Sequence, residues 1–158
     1  MKKHMLAVGL TFALLCASVQ AGQIGAFGSY WNQRDGDEAM GGGISYLFAT
    51  LPLELRGTYY ERSSARNVRA SPIDFGLNLI LTRGKGVNAT ALAGASYYFV
   101  DVPNGSVDNE FGWYLGGRME MAVQGGTVLF GELLYRGADL DDANVNLSGI
   151  AINIGILF

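Results

Sequence analysis

The sequence predicts an all-β protein, an eight-stranded antiparallel up-and-down transmembrane β-barrel behind a cleaved signal peptide. Three observations predict it: an apolar leader at the N-terminus, period-two alternation of apolar and polar residues through most of the remaining chain, and connections that alternate between short and long.

The leader comes first. Lys2 and Lys3 form a positive start, Met5 to Cys16 is an almost unbroken apolar run, and Val19-Gln20-Ala21 offers a small-x-small cleavage site, the three parts of a secretory signal. The apolar run is about a dozen residues, short of the roughly 20 that a helix needs to span a bilayer. Cleavage after Ala21 divides the chain into a signal peptide, 1–21, and a barrel domain, 22–158. Cys16 raises lipoprotein processing as a rival, but Leu15 stands where such signals carry a small residue.

Removing the signal removes chemistry. The only Cys, Cys16, and the only His, His4, lie within it, so the mature chain has no disulfide, no thiol nucleophile, no Ser-His pair and no His or Cys zinc ligand. Lys2 and Lys3 leave too, so the 11 basic residues fall to nine against 14 acidic ones, a formal charge of −5. That balance argues against nucleic acid as a partner. The chain is expected to be no enzyme and to need no cofactor or metal.

The strands come in order. Gln23–Asn32, Glu38–Phe48 and Leu53–Arg62 are read as the first three. In the fourth, Ile73–Leu81, Ile73, Phe75, Leu77, Leu79 and Leu81 share one face and Asp74, Gly76 and Asn78 the other. The fifth, Val87–Phe99, sets alanines and aromatics at odd positions against Asn88, Thr90 and Ser96. In the sixth, Glu110–Val123, Trp113, Leu115, Met119 and Met121 oppose Glu110, Arg118 and Glu120. Seven positions per face is long for a soluble strand and suits a tilted membrane strand. Thr127–Arg136 and Asn146–Phe158 complete the eight, the last with Ile150, Ile152, Ile154, Ile156 and Phe158 on one face.

The connections near Ala49–Pro52, Thr82–Gly86 and Gln124–Gly126 are short. Those at Ser63–Ser71, Asp101–Asn109 and Gly137–Val145 are longer and polar, while Gln33–Asp37 is short and departs from the pattern. Short inner turns and longer outer loops are the outer-membrane arrangement. With both termini inside, Tyr30, Trp31, Tyr59, Tyr97, Phe99, Phe111, Trp113 and Tyr135 are expected near the outer rim, and Tyr46, Phe48 and Phe158 near the inner one, as two aromatic belts.

The run Val128-Leu129-Phe130-Gly131-Glu132-Leu133-Leu134-Tyr135-Arg136 and the closing Ile152-Asn153-Ile154-Gly155-Ile156-Leu157-Phe158 resemble the small outer-membrane β-barrel superfamily typified by the OmpA transmembrane domain. The middle section resembles YfaZ-like small barrels more loosely. The resemblance covers nearly all of 22–158 and implies outer-membrane localisation, with Ile154, Ile156 and Phe158 as the terminal signal that the barrel assembly machinery reads. It implies architecture rather than function.

The alternation points Glu54, Arg56, Asp74, Arg118, Glu120, Glu132 and Arg136 into the barrel. An eight-stranded barrel is just wide enough for side chains to fill it, so these charges are expected to pair as a polar plug, with a narrow porin-like ion path as the alternative. Glu61 is the exception, pointing outward near the headgroups. A soluble periplasmic lipocalin-like binder would reverse the two faces.

Other motifs carry less. Asp139, Asp141 and Asp142 lack the Gly and Glu of an EF-hand loop. Gly41-Gly42-Gly43 and Arg83-Gly84-Lys85-Gly86 lack the strand-to-helix setting of a phosphate loop. Lys85, the one candidate for a His-free Ser-Lys pair, falls in an inner turn. Arg62, Arg66 and Arg69 in one outer loop stand beside Asp101, Asp108, Asp139, Asp141 and Asp142 in the others; such loops could touch lipopolysaccharide phosphates or an extracellular partner, or pair with one another. The reading is therefore a structural or surface-interaction barrel with outer-membrane lipid, including lipopolysaccharide, around it.

Overall fold

A computed structural model of the chain describes residues 22–34, 37–64, 67–84, 86–101, 109–140 and 145–158. The signal peptide, Lys85, Arg66, Asp108, Asp141 and Asp142 lie outside the described residues, as does the side chain of Asp139.

Eight long strands form one closed antiparallel wall: β1 Gln23–Gln33, β2 Glu38–Leu47, β3 Leu53–Tyr60, β4 Arg69–Arg83, β5 Val87–Asp101, β6 Glu110–Ala122, β7 Val128–Gly137 and β10 Gly149–Leu157. Each pairs with its neighbours in chain order, and β1 pairs with β10 to close the circle. Two short strands, β8 Asp139–Leu140 and β9 Val145–Asn146, form a separate hairpin between β7 and β10. The seam holds the chain ends together, for Ile24 and Phe158 exchange both backbone hydrogen bonds, at 3.1 and 2.8 Å. Closure leaves the wall without the two free edges of an open sheet.

The two faces have opposite chemistry. Leu115, Leu133, Ile154 and Met119 stand more than half exposed on the outside. Arg56, Arg118, Arg136, Asp74, Glu54 and Glu132 are almost completely buried inside. A soluble barrel would place these groups the other way round, so the inversion decides between a transmembrane barrel and a lipocalin-like one.

Apolar residues share the interior with the charges. Towards the outer end, Trp31, Tyr60, Leu92, Tyr98, Tyr114 and Leu134 pack together. Trp31 lies 5.2 Å from the Tyr60 ring and 5.9 Å from that of Tyr98. Phe27, Phe130 and Leu157 form a second cluster at the inner end. Glycine makes room for the rings: Phe27 is paired with Gly43 on one side and Gly155 on the other. A Cβ on Gly43 would fall 2.4 Å from the Phe27 ring.

Several elements differ from the sequence reading. Trp31 does not belong to the outer belt; it is fully buried inside the barrel. Its register partners on either side are Ala39 and Ala151, themselves buried, and these small side chains leave the volume that the indole fills. The fourth strand is longer than Ile73–Leu81 at both ends, so the outer loop before it shrinks, and the third strand stops at Tyr60 rather than Arg62. A bulge between Ile80 and Thr82 interrupts the alternation that would have placed Leu81 in line with Leu79. The last wall strand starts at Gly149 because Asn146 pairs in the small hairpin instead.

Outward aromatics near the strand ends form local groups, while Phe75 stands half exposed midway along β4. Tyr97 packs against Phe99 and Phe111 with centroids 5.1 and 4.9 Å apart, and Trp113 against Tyr135 at 5.6 Å. At the inner end Tyr46 meets Phe48 at 5.1 Å.

Followed once around the wall, the strand register returns displaced by about ten residues, the stagger of tilted strands. At the inner rim this stagger is concentrated in one step. Leu53, the first residue of β3, pairs with Leu77, yet β4 runs on to Arg83 with only β5 beside it.

Candidate functional site

The barrel interior holds the chemistry, in two layers. The inner layer is built on β3, β6 and β7. Glu54 and Arg56 face inward together because they are two residues apart on β3, and Arg118 sits directly across the β6–β7 ladder from Glu132.

The four side chains interlock. Arg56 donates through Nη1 to Glu132 Oε2 at 2.8 Å and through Nη2 to Glu132 Oε1 at 3.0 Å and Glu54 Oε1 at 2.9 Å. Arg118 donates through Nε to Glu132 Oε1 at 2.6 Å and through Nη2 to both Glu54 oxygens at 2.7 Å. Two amides cap the carboxylates: Asn78 Nδ2 reaches Glu54 at 3.2 Å and Asn153 Nδ2 reaches Glu132 at 2.7 Å. Aromatic faces complete the layer, with Arg56 5.3 Å from the Phe27 centroid and Arg118 4.9 Å from that of Phe130.

The outer layer is one bidentate pair. Arg136 Nη1 and Nη2 donate to the two oxygens of Asp74 at 2.9 and 2.7 Å, and Ser96 Oγ donates to Asp74 Oδ1 at 2.7 Å. The Arg136 guanidinium lies 6.0 Å from the Trp31 ring and 5.9 Å from that of Tyr114.

The hydrogen-bonded charges balance: two acids face two bases in the inner layer and one acid faces one base in the outer, with Glu120 a further, looser ion-pair partner of Arg118. This arrangement answers the desolvation of six buried charges, because a buried ion is tolerated only with a counter-charge and hydrogen bonds in place. Glu120 stands apart from the other sequence candidates. Its carboxylate is 3.6 Å from Arg118 Nη1, beyond hydrogen-bond length, and its side chain is partly exposed towards the inner mouth. The sequence reading missed Asn78, Ser96 and Asn153 as members of the network, although all three lie on the polar faces that it identified.

At the outer rim, Arg62 Nη2 donates to Asp101 at 2.9 Å and Arg69 lies 3.6 Å from the same carboxylate. Arg62 and Arg69 are therefore joined here to Asp101, basic residues of one loop region to an acidic residue of another. Glu61 is exposed just past the end of β3. Of the terminal residues, Ile154 and Phe158 are outward and exposed, and Ile156 is outward and half-buried.

No protein-family model matches the chain, and no curated protein matches it in sequence. Solved structures do match. Neisserial surface protein A superposes with a TM-score of 0.60 at 16% identity, covering 86% of this chain and 92% of that one. The N-terminal β-barrel domain of Pseudomonas aeruginosa OprF gives 0.55 at 18% identity, with 87% and 96% covered. A de novo designed transmembrane β-barrel gives 0.52 at 14%, with 88% and 96% covered. At such identities the likeness is one of fold: the chain has the architecture of the eight-stranded transmembrane barrels.

Proposed function

We propose that this chain is an exported, non-enzymatic outer-membrane barrel with a structural or surface-interaction role, its interior closed by ion pairs. The observation that carries the reading is the neutral pairing of Glu54, Arg56, Arg118 and Glu132 beneath the Asp74–Arg136 pair. Side chains so tied and so buried fill the lumen rather than line a path. The apolar outer wall supports residence in lipid, and the short turns beside the termini support the orientation with both ends in the periplasm. One of the barrels it superposes on is named a surface protein. Lipopolysaccharide around the outer belt, and the barrel assembly machinery acting on Ile154, Ile156 and Phe158, are the partners that this reading implies.

Planar-bilayer recording of the refolded protein tests it. No steady single-channel steps are expected; steps that vanish in Arg118→Ala or Glu120→Ala would establish conduction instead. That second reading has one observation in its favour. Arg56 Nε, Thr58 Oγ1, Thr90 Oγ1 and Asn153 Oδ1 are buried polar atoms without a hydrogen-bond partner among the described residues, and they set unsatisfied polar groups beside the ion pairs. Outer-membrane fractionation and heat-modifiable gel migration test localisation, and recovery as a soluble periplasmic product would overturn it.

A further inference from the structure

The step in the inner rim leaves part of β4 with one neighbour instead of two. Asn78 N donates to Pro52 O at 2.9 Å. Beyond it, Leu79 to Arg83 are paired to β5 alone among the described residues, so the backbone groups that alternate residues turn to the other edge face no strand. The notch beside this edge is a groove of about 620 Å³ lined by Leu51, Leu53, Leu79, Ile80 and Arg83 among others. Leu51, Leu79, Ile80 and Leu81 are each about half exposed or more.

Two physical facts bear on such a place. Backbone groups inside hydrocarbon must all be paired, so the edge belongs beyond the lipid core, at the mouth. A long apolar strand edge in water recruits another strand unless charge or Pro blocks it. The bulge at Ile80/Thr82 twists this edge without covering it, and the only charge lining the groove is Arg83, which has no acidic partner among the described residues.

We propose that the notch is a docking site for an extended peptide segment of a partner protein, which adds as a strand to β4 Leu79–Arg83. The backbone edge supplies main-chain hydrogen bonds. Alternate apolar side chains of the segment enter the groove, and a carboxylate on it meets Arg83. A second copy of this barrel is a poorer occupant, because two identical edges bring Arg83 no carboxylate. The site follows from the barrel geometry; that the partner comes from the periplasm rests on the proposed orientation.

The test uses the full barrel in nanodiscs and a fluorescent eight-residue peptide of alternating Val and Thr ending in Glu. Saturable binding is expected, weakened about tenfold by Arg83→Glu and restored there by a peptide ending in Lys, as charge complementarity requires. N-methylation of the peptide on its bonding edge should abolish binding. Absence of binding, or binding indifferent to both N-methylation and the charge swap, overturns the proposal. So does a concentration-dependent dimer lost on replacing Leu81 by Pro, since the edge would then be taken by a second copy. Protease accessibility of the inner turns in intact cells, measured separately, tests the orientation and leaves the peptide result standing.

Discussion

Arg118 and Glu132 face each other across the β6–β7 ladder and are joined by a 2.6 Å hydrogen bond from Nε, so two strands of the wall are tied through their side chains as well as their backbones. Glu132 also takes two bonds from Arg56. Replacing Glu132 with Ala would leave two guanidinium groups hydrogen-bonded to Glu54 alone, with Glu120 a looser 3.6 Å neighbour of Arg118. Breaking a buried pair from one side costs about 3–5 kcal/mol, and urea unfolding in detergent micelles should show a loss of that size. Replacing Glu54, Arg56, Arg118 and Glu132 together with apolar residues of similar volume should cost far less, because no charge is left alone. An equal loss in both variants would mean that shape, not charge, holds the layer.

The two tryptophans report opposite sides of the wall. Trp113 is half exposed on the outside, and Trp31 is fully buried inside. In bilayers of brominated lipid, the Trp31→Phe variant, which keeps Trp113, should be strongly quenched. The Trp113→Phe variant should retain most of its emission. Equal quenching would place the indole of Trp31 against lipid and undo the inward phase of β1.

Glycine substitutions should separate by face. Gly116 lies between buried Leu92 and Leu134 in the register, and a Cβ there would come 2.1 Å from the Leu133 carbonyl oxygen. Gly131 faces outward with open space around it. Gly116→Ala should destabilise by about 1–3 kcal/mol through overpacking, whereas Gly131→Ala should be neutral or stabilising by less than about 1 kcal/mol. Denaturant midpoints of the two variants against the wild type decide it.

Depth along the outer wall sets the tolerance for charge. Leu133 sits mid-strand and is more than half exposed, while Tyr59 lies near the outer end of β3. Leu133→Arg should cost about 2–4 kcal/mol and Tyr59→Arg about 0–1 kcal/mol, measured as folding free energy in liposomes. A reversed order would mean that the bilayer sits at a different height on the barrel.

Period-two alternation carries the architecture in this sequence because an inverted barrel writes its two environments onto alternate residues. Asp74 between Ile73 and Phe75, or Arg118 between Gly117 and Met119, can be assigned to the lumen without coordinates. Trp31 could not be, since Tyr30 and Trp31 are adjacent aromatics and neither face of β1 is uniformly apolar; its phase is decided by the alanines on neighbouring strands. The division of the charges into two layers was likewise hidden. Arg136 finds Asp74 across the lumen, from a strand that is no neighbour of β4, and only the combined register of the strands between them brings the two together. The step at the β3–β4 seam arises in the same way, as a property of the whole circuit of pairings. The β8–β9 hairpin is two residues long on each side, too short for any alternation to register.

The β1–β10 seam sets the order in which this protein can be finished. Until the last strand arrives, β1 and β7 each hold a raw backbone edge towards the gap that β10 will occupy, and contacts between the ends of a chain are the slowest to form. A chain stalled one strand short is therefore a sheet with two sticky borders rather than a slightly smaller barrel. The final strand acts as a keystone: it adds little to the wall's length and removes both borders at once.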